Sequence, residues 1–304
     1  MFRPTLAALS LIASGYALQG APPATEVFLA SFAMTGGKAA LGAPVNISNN
    51  PGYDNQPSFT PDGRSVLFTS VRGDRKPDPA NSAATGSDIY RYDIASRQLS
   101  QVTATPESEY SPTPTPDGRH ISVIRVEADG TQRLWRFGAD GTRPELVLTD
   151  VKPVGYHAWA DAGAVALFVL GRPPTLQLAA VSDGKADIIA SDIGRSISRM
   201  PGGGVSYVQR EMSDGRTSLV VMQLDPKTRR TTALVPVKEG PRDPDLAWAP
   251  DGTLLMAHDG KLHSWRRGTG DFEVAADLEA LGLKGVTRLA VSPGGEHIAL
   301  VAQP

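Results

Sequence analysis

The chain has 304 residues, a formal net charge of −2 and no cysteine. Near-neutral charge gives no basic field for nucleic acid and no acidic tail. The missing thiol excludes zinc ribbons, disulfides, iron–sulfur clusters, cysteine nucleophiles and lipid anchoring through an N-terminal cysteine. Its 31 glycines and 25 prolines suit a fold built from many turns.

The chain opens with the features of an export signal. Arg3 supplies a short positive start, and the apolar run "LAALSLIASGYAL" follows. That run is shorter than the ~20 residues a membrane span needs. "QGAPPAT" then brings small residues and a proline break. We read residues 1–21 as a signal peptide, with cleavage between Ala17 and Ala24. No later run is long and apolar enough to span a membrane, so the expected location is periplasmic or secreted.

Beyond the signal, "TEVFLASF" and "APVNISN" read as two strands. A unit then recurs around a turn: Pro61-Asp62-Gly63, Pro116-Asp117-Gly118, Asp161-Ala162-Gly163, Pro201-Gly202-Gly203, Pro250-Asp251-Gly252 and Pro293-Gly294-Gly295. Proline cannot continue a strand ladder, and glycine accepts the positive φ of a tight turn. A short apolar run precedes each turn, as in "PSFT" and "LAWA". A branched strand follows, as in "SVLFTS" and "AVALFVL", then a third strand, as in "SDIYRYDI" and "QRLWRFG", and a weaker fourth, as in "RQLSQVT". Four strands per unit and six units predict an all-β, six-bladed β-propeller with four-stranded antiparallel blades, a single domain over residues 25–302. The N-terminus supplies a third and a fourth strand and the C-terminus stops after a second, so one blade should close with inner strands from one end and outer strands from the other. Residues 71–86 read as a polar surface loop, and "DLEALGLKG" as one helical turn.

The stretch from Tyr53 to Ser70, followed by Asp88-Ile89-Tyr90 and Gln101-Val102-Thr103, resembles the repeat of TolB-type, or WD-like, β-propellers. The resemblance covers essentially the whole mature chain, weakening around Asp161 and Pro201. It implies a periplasmic or secreted propeller that binds partners. It does not carry over membership of the Tol complex, because TolB has an α/β domain before its propeller and this chain has no room for one.

Motifs for chemistry are sparse. There is no G-x-S-x-G, H-E-x-x-H, P-loop, G-x-G-x-x-G or D-x-D-x-D-G. His120, His157, His258, His263 and His297 show no helical metal-ligand spacing. Trp159 and Trp248 hold the same slot two residues before their turns, which points to packing between blades. The better candidates precede the inner strands, which line a propeller's channel. These residues are Asp54, Asn55, Glu109, Tyr110, Tyr156, His157, Arg195, Asp243, Asp245 and Arg288. Polar turn chemistry alone would explain many of them. As a site, Arg195 and Arg288 could fork a carboxylate or phosphate, whereas Asp54, Asn55, Glu109 and Asp245 could hold calcium with His157 as base. The expected function is a non-catalytic, monomeric module binding a protein, peptide or envelope component, without a cofactor. The alternative is a calcium-dependent hydrolase or lactonase with its site in the channel.

Overall fold

The computed structural model describes residues 24–73, 86–213, 216–238 and 243–304. The signal segment and most of the loop expected at 71–86 lie outside the described residues. The rest forms a six-bladed β-propeller of antiparallel sheets. From the inner to the outer edge, blade 1 is Asp54–Phe59, Ser65–Ser70, Asp88–Asp93 and Leu99–Gln101. Blade 2 is Ser108–Pro114, His120–Val126, Gln132–Gly138 and Glu145–Leu146. Blade 3 is Val154–Trp159, Ala164–Val169, Thr175–Ala180 and Ala186–Ser191. Blade 4 is Ile193–Arg199, Val205–Ser213, Arg216–Leu224 and Thr231–Pro236. Blade 5 is Leu246–Trp248, Leu254–His258, Lys261–Trp265 and Glu273–Asp277.

Blade 6 joins both ends of the chain. Its inner strands are Arg288–Val291 and His297–Ala302, and Glu26–Thr35 pairs with the latter from Glu26↔Ala302 to Ser31↔His297. Its outer position is divided between Lys38–Leu41 and Val45–Asn46, which pair with different halves of Glu26–Thr35. The sequence reading placed one strand at residues 43–49; Gly36 and Gly37, both at positive φ, turn the chain back sooner. The helical turn expected near residue 280 is a 3-10 turn, Glu279–Leu281, ended by Gly282 at φ 82°.

The second strands of blades 1 and 3 are covered on both faces, which is why their sequences, "SVLFTS" and "AVALFV", hold apolar runs instead of an alternation. The apolar core is accordingly not one mass but six clusters, one at each blade-to-blade contact. Val66 and Phe68 of blade 1 meet Val27, Ala299 and Val301 of blade 6, and Leu167 and Trp159 of blade 3 meet Ile124 and Leu134 of blade 2. No blade can bury its faces alone, so stability requires the closed ring.

The turns contribute to that closure. Gly63 and Gly118 have φ of 70° and 67°, as a tight hairpin demands. Each also lies against the proline of the preceding blade's turn. A Cβ on Gly63 would stand 3.8 Å from Pro293, one on Gly118 3.7 Å from Pro61, and one on Gly295 3.0 Å from Pro250. The turns of blades 5, 6, 1 and 2 therefore stack. At the turns of blades 3, 4 and 5 the stack is open: a Cβ on Gly203 or Gly252 would meet nothing within 4 Å, and one on Gly163 only Asp161 of its own turn.

Candidate functional site

Inner strands of neighbouring blades adjoin around the axis in chain order. One residue of each lines a narrow cavity of about 130 Å³ at the mouth where these strands begin: Gln56, Ser111, Tyr156, Ser196, Asp245 and Arg288. Each is the fifth residue before the first residue of its turn, so the six form one ring. In blades 1 and 2 the ring residue has positive φ, 56° at Gln56 and 54° at Ser111, and the strand register shifts there. This bulge lets the residues ahead of it keep pairing as strand, where the sequence reading expected loop.

The ring is cross-linked. Ser111 N–H donates to Gln56 Oε1 (3.0 Å), Leu246 N–H to Ser196 Oγ (3.0 Å) and Leu289 N–H to Asp245 Oδ2 (3.1 Å). Arg288 does more. Its Nη1 lies 3.3 Å from Asp245 Oδ1, and its Nη2 donates to the hydroxyl of Tyr156 (2.9 Å), with the guanidinium 5.0 Å from that ring's centre. Tyr156 belongs to blade 3, opposite blade 6 in a six-bladed disc. The guanidinium thus forms a bar across the channel. Burial opposes its charge, but Tyr156 and Asp245 overcome that and hold its pKa above the ordinary value. Burial pushes the Asp245 carboxyl up, against the pull of Arg288.

Tyr53, next to Asp54 but not among the site candidates drawn from the sequence, joins this mouth. Burial raises its pKa, Tyr156 and Tyr110 add to the rise, and Arg288 and Arg195 oppose it. Three phenols therefore gather near two guanidiniums. Arg195, about a third exposed, lines the same cavity and lies 3.3 Å from Asp243, which also takes Arg210 at 3.2 Å.

Other expected residues lie off the ring. Asp54 and Glu109 occupy equivalent places and are fully buried. Asp54 accepts from Ser70 Oγ (2.5 Å) and Asn50 Nδ2 (2.8 Å), with Arg72 at 3.3 Å. Glu109 accepts from Thr105 Oγ1 (2.5 Å) and Arg125 Nε (3.0 Å). Asn50 and Thr105 sit on the segments arriving from the preceding blades, so these carboxylates knit blade joints. Burial drives Glu109 up to about 7 despite Thr105 and Arg125, and raises Asp54 as well. Asn55 is tied to Thr25 Oγ1 at 3.3 Å. Among the described residues, no three of His, Asp and Glu converge as a metal-ligand group.

His157 sits one residue beyond the ring, buried in the channel wall. Ser122 Oγ receives Trp159 Nε1–H (2.9 Å) and donates to the carbonyl of Thr113 (2.8 Å). Its only hydrogen being used, it accepts from His157 Nε2–H across 2.7 Å. His157 Nδ1 is then a lone pair without a partner. Burial alone holds this imidazole neutral, with its pKa down to about 3. Trp248 repeats the arrangement of Trp159, donating to Ser206 Oγ at 2.8 Å, so both indoles bridge to the preceding blade as their matched slots implied.

No protein-family model matches the chain. Solved structures resemble it at the level of fold. A TolB-type protein from Agrobacterium tumefaciens superposes with a TM-score of 0.64 over 92% of this chain and 98% of that one, at 13% identity. TolB from Acinetobacter baumannii gives 0.58 over 94% of this chain at 14% identity, this chain spanning 66% of its length. An oligogalacturonate lyase in complex with manganese gives 0.57 over 86% of this chain and 80% of that one, at 13% identity. The fold is thus the TolB-type six-bladed propeller, carried on a chain of little sequence likeness to these. No helix among the described residues is long and apolar enough to cross a membrane.

Proposed function

We propose that the protein is an exported, monomeric, non-catalytic binding module that holds a protein, peptide or envelope component at the mouth ringed by Arg288. The observation that carries this reading is the cluster of Tyr53, Tyr110 and Tyr156 near Arg195 and Arg288, over a channel barred by the Arg288–Tyr156 contact. Tyrosine and arginine dominate the energetics of protein interfaces. Here Arg288 and Tyr156 are immobilised by each other, so little entropy is lost when a ligand arrives. The ionisable groups at this mouth are committed to one another: Asp245 to Arg288 and Leu289, Asp243 to Arg195 and Arg210. That suits recognition better than proton transfer. The TolB-type fold, shared with proteins named as TolB, agrees with a binding role.

The test is affinity capture from a cell-envelope extract with wild type and Tyr53→Ala/Arg195→Ala. Loss of a specifically retained protein or glycan in the double variant is the expected result. Identical capture would move the binding surface elsewhere. Melting curves with calcium, manganese and chelator address the metal-dependent alternative; a metal-dependent rise in Tm would favour it.

A further inference from the structure

The opposite mouth, where the turns lie, carries a different chemistry. Three residues along from the polar ring, the inner strands present Phe59, Pro114, Trp159, Arg199, Trp248 and Val291. Below them the turns add a rim of prolines, and the funnel so formed has a volume of about 730 Å³. Its wall mixes prolines, Phe59, Trp248 and Val291 with the hydroxyl residues Thr115 and Ser292, and Arg199 is its one charged side chain. Arg199 is exposed, and its guanidinium makes no hydrogen bond or ion pair among the described residues. The indole of Trp248 is fixed beside it, its Nε1–H bonded to Ser206 and its ring edge-on to Trp265 at 6.4 Å.

The funnel continues sideways. At one of the openings in the Gly–Pro stack, a trough of about 610 Å³ runs out between blades 4 and 5 over Met200, Gly202, Gly203 and Trp248. Glycines at φ 83° and 105° keep its wall free of side chains. Arg266 and Arg267 border it, the former neutralised by Asp251 at 3.2 Å and the latter bonded to the uncharged Gln223 at 2.7 Å.

We propose that this funnel and trough bind the carboxy-terminal end of an extended polypeptide whose last side chain is apolar. The terminal carboxylate would fork onto Arg199, the last side chain would pack on Trp248 and the prolines, and the preceding backbone would leave along the trough. A single unpaired guanidinium beside Trp248, Val291 and a rim of prolines matches a single carboxylate on an apolar end. The lateral opening is what a polypeptide requires and a small acid does not.

The probe is N-acetyl-alanyl-alanyl-leucine, compared with its carboxamide and with 4-methylpentanoate. Binding is read by calorimetry and by the Trp248 indole N–H signal in NMR, assigned with Trp248→Phe. The free-acid peptide should bind and shift that signal, the carboxamide about tenfold more weakly or worse. Arg199→Gln should reduce the acid to the level of the amide, and Arg199→Lys should recover part of the loss. An unchanged melting curve for Arg199→Gln establishes that its fold is intact. The proposal fails if acid and amide bind alike, if neither binds at millimolar concentration, or if Arg199→Gln binds as wild type does. If 4-methylpentanoate matches the peptide, the site takes small carboxylates and the polypeptide reading is wrong. None of these outcomes depends on the mouth at Arg288.

Discussion

The two mouths of one channel lie a few residues apart on the same strands, yet they treat an arginine in opposite ways. At the strand-start mouth Arg288 is buried, met by Asp245 and carried across the axis to Tyr156. At the turn mouth Arg199 stands exposed in the funnel, its guanidinium without a partner among the described residues. Burial explains the difference. A guanidinium withdrawn from water must be paired, and its pairing becomes part of what holds the blades in place. A hydrated guanidinium costs little to leave unpaired, and remains available to a ligand. One arginine therefore doubles as framework; the other does not.

The coarsest way to break the comparison is to remove the closure both mouths depend on. Deleting residues 297–302 removes the partner of Glu26–Thr35 and should abolish the cooperative thermal transition, seen by circular dichroism. A variant melting at the wild-type temperature would show that the blades are stable without closure. Next comes the contrast itself. Arg288→Ala strands the buried Asp245 and should cost roughly 3–5 kcal/mol in denaturant unfolding, whereas Arg199→Ala should change stability by about 0.5 kcal/mol or less. Equal losses would erase the distinction.

A third test uses pH. Glu109 has an ordinary value of 4.5 and about 7 when folded, so its stabilising contribution is complete below 4.5 and lost as pH rises to 7. His157 runs the other way, from 6.5 down to about 3, so its contribution is complete above 6.5 and lost as pH falls toward 3. Their slopes oppose each other between about 4.5 and 6.5. Glu109→Gln should therefore make stability climb more steeply with pH across that window, by roughly 1–3 kcal/mol relative to wild type. His157→Gln should make it fall. Parallel profiles for all three proteins would contradict both assignments. Trp248→Phe, which removes the bond to Ser206, should cost about 1 kcal/mol in the same unfolding measurement.

The blades were legible because the turn repeats. Proline, glycine and a branched strand recur at each inner hairpin, and the fold follows from counting them. The seam in blade 6 was legible as well, from the phase of the repeat at the two ends. The polar ring was legible only in part. Tyr156, Asp245 and Arg288 stood out by their chemistry, but Gln56, Ser111 and Ser196 did not. Counting five residues back from each turn would have found all six. Asp54 and Glu109 drew attention as carboxylates, and nothing local shows that Ser70 and Arg125, each 16 residues from the carboxylate it meets, would enclose them. Tyr53 was not counted as a site residue because its neighbours, Arg288 above all, come from the far end of the chain. The contrast between the mouths depends on which charges find partners, and that is settled by the closed ring, not by any one repeat.

The pairing in blade 6 also has a mechanical meaning. Glu26 faces Ala302, so the chain enters and leaves the ladder at the same end. Tension applied through the residues leading into Glu26 and out of Ala302 would load these rungs one after another, as a zipper is opened, and not all six together in shear. A disc that heat must melt as a whole would open under a pull at its termini from Val27 and Val301 inward, at the one blade whose opening releases the ring.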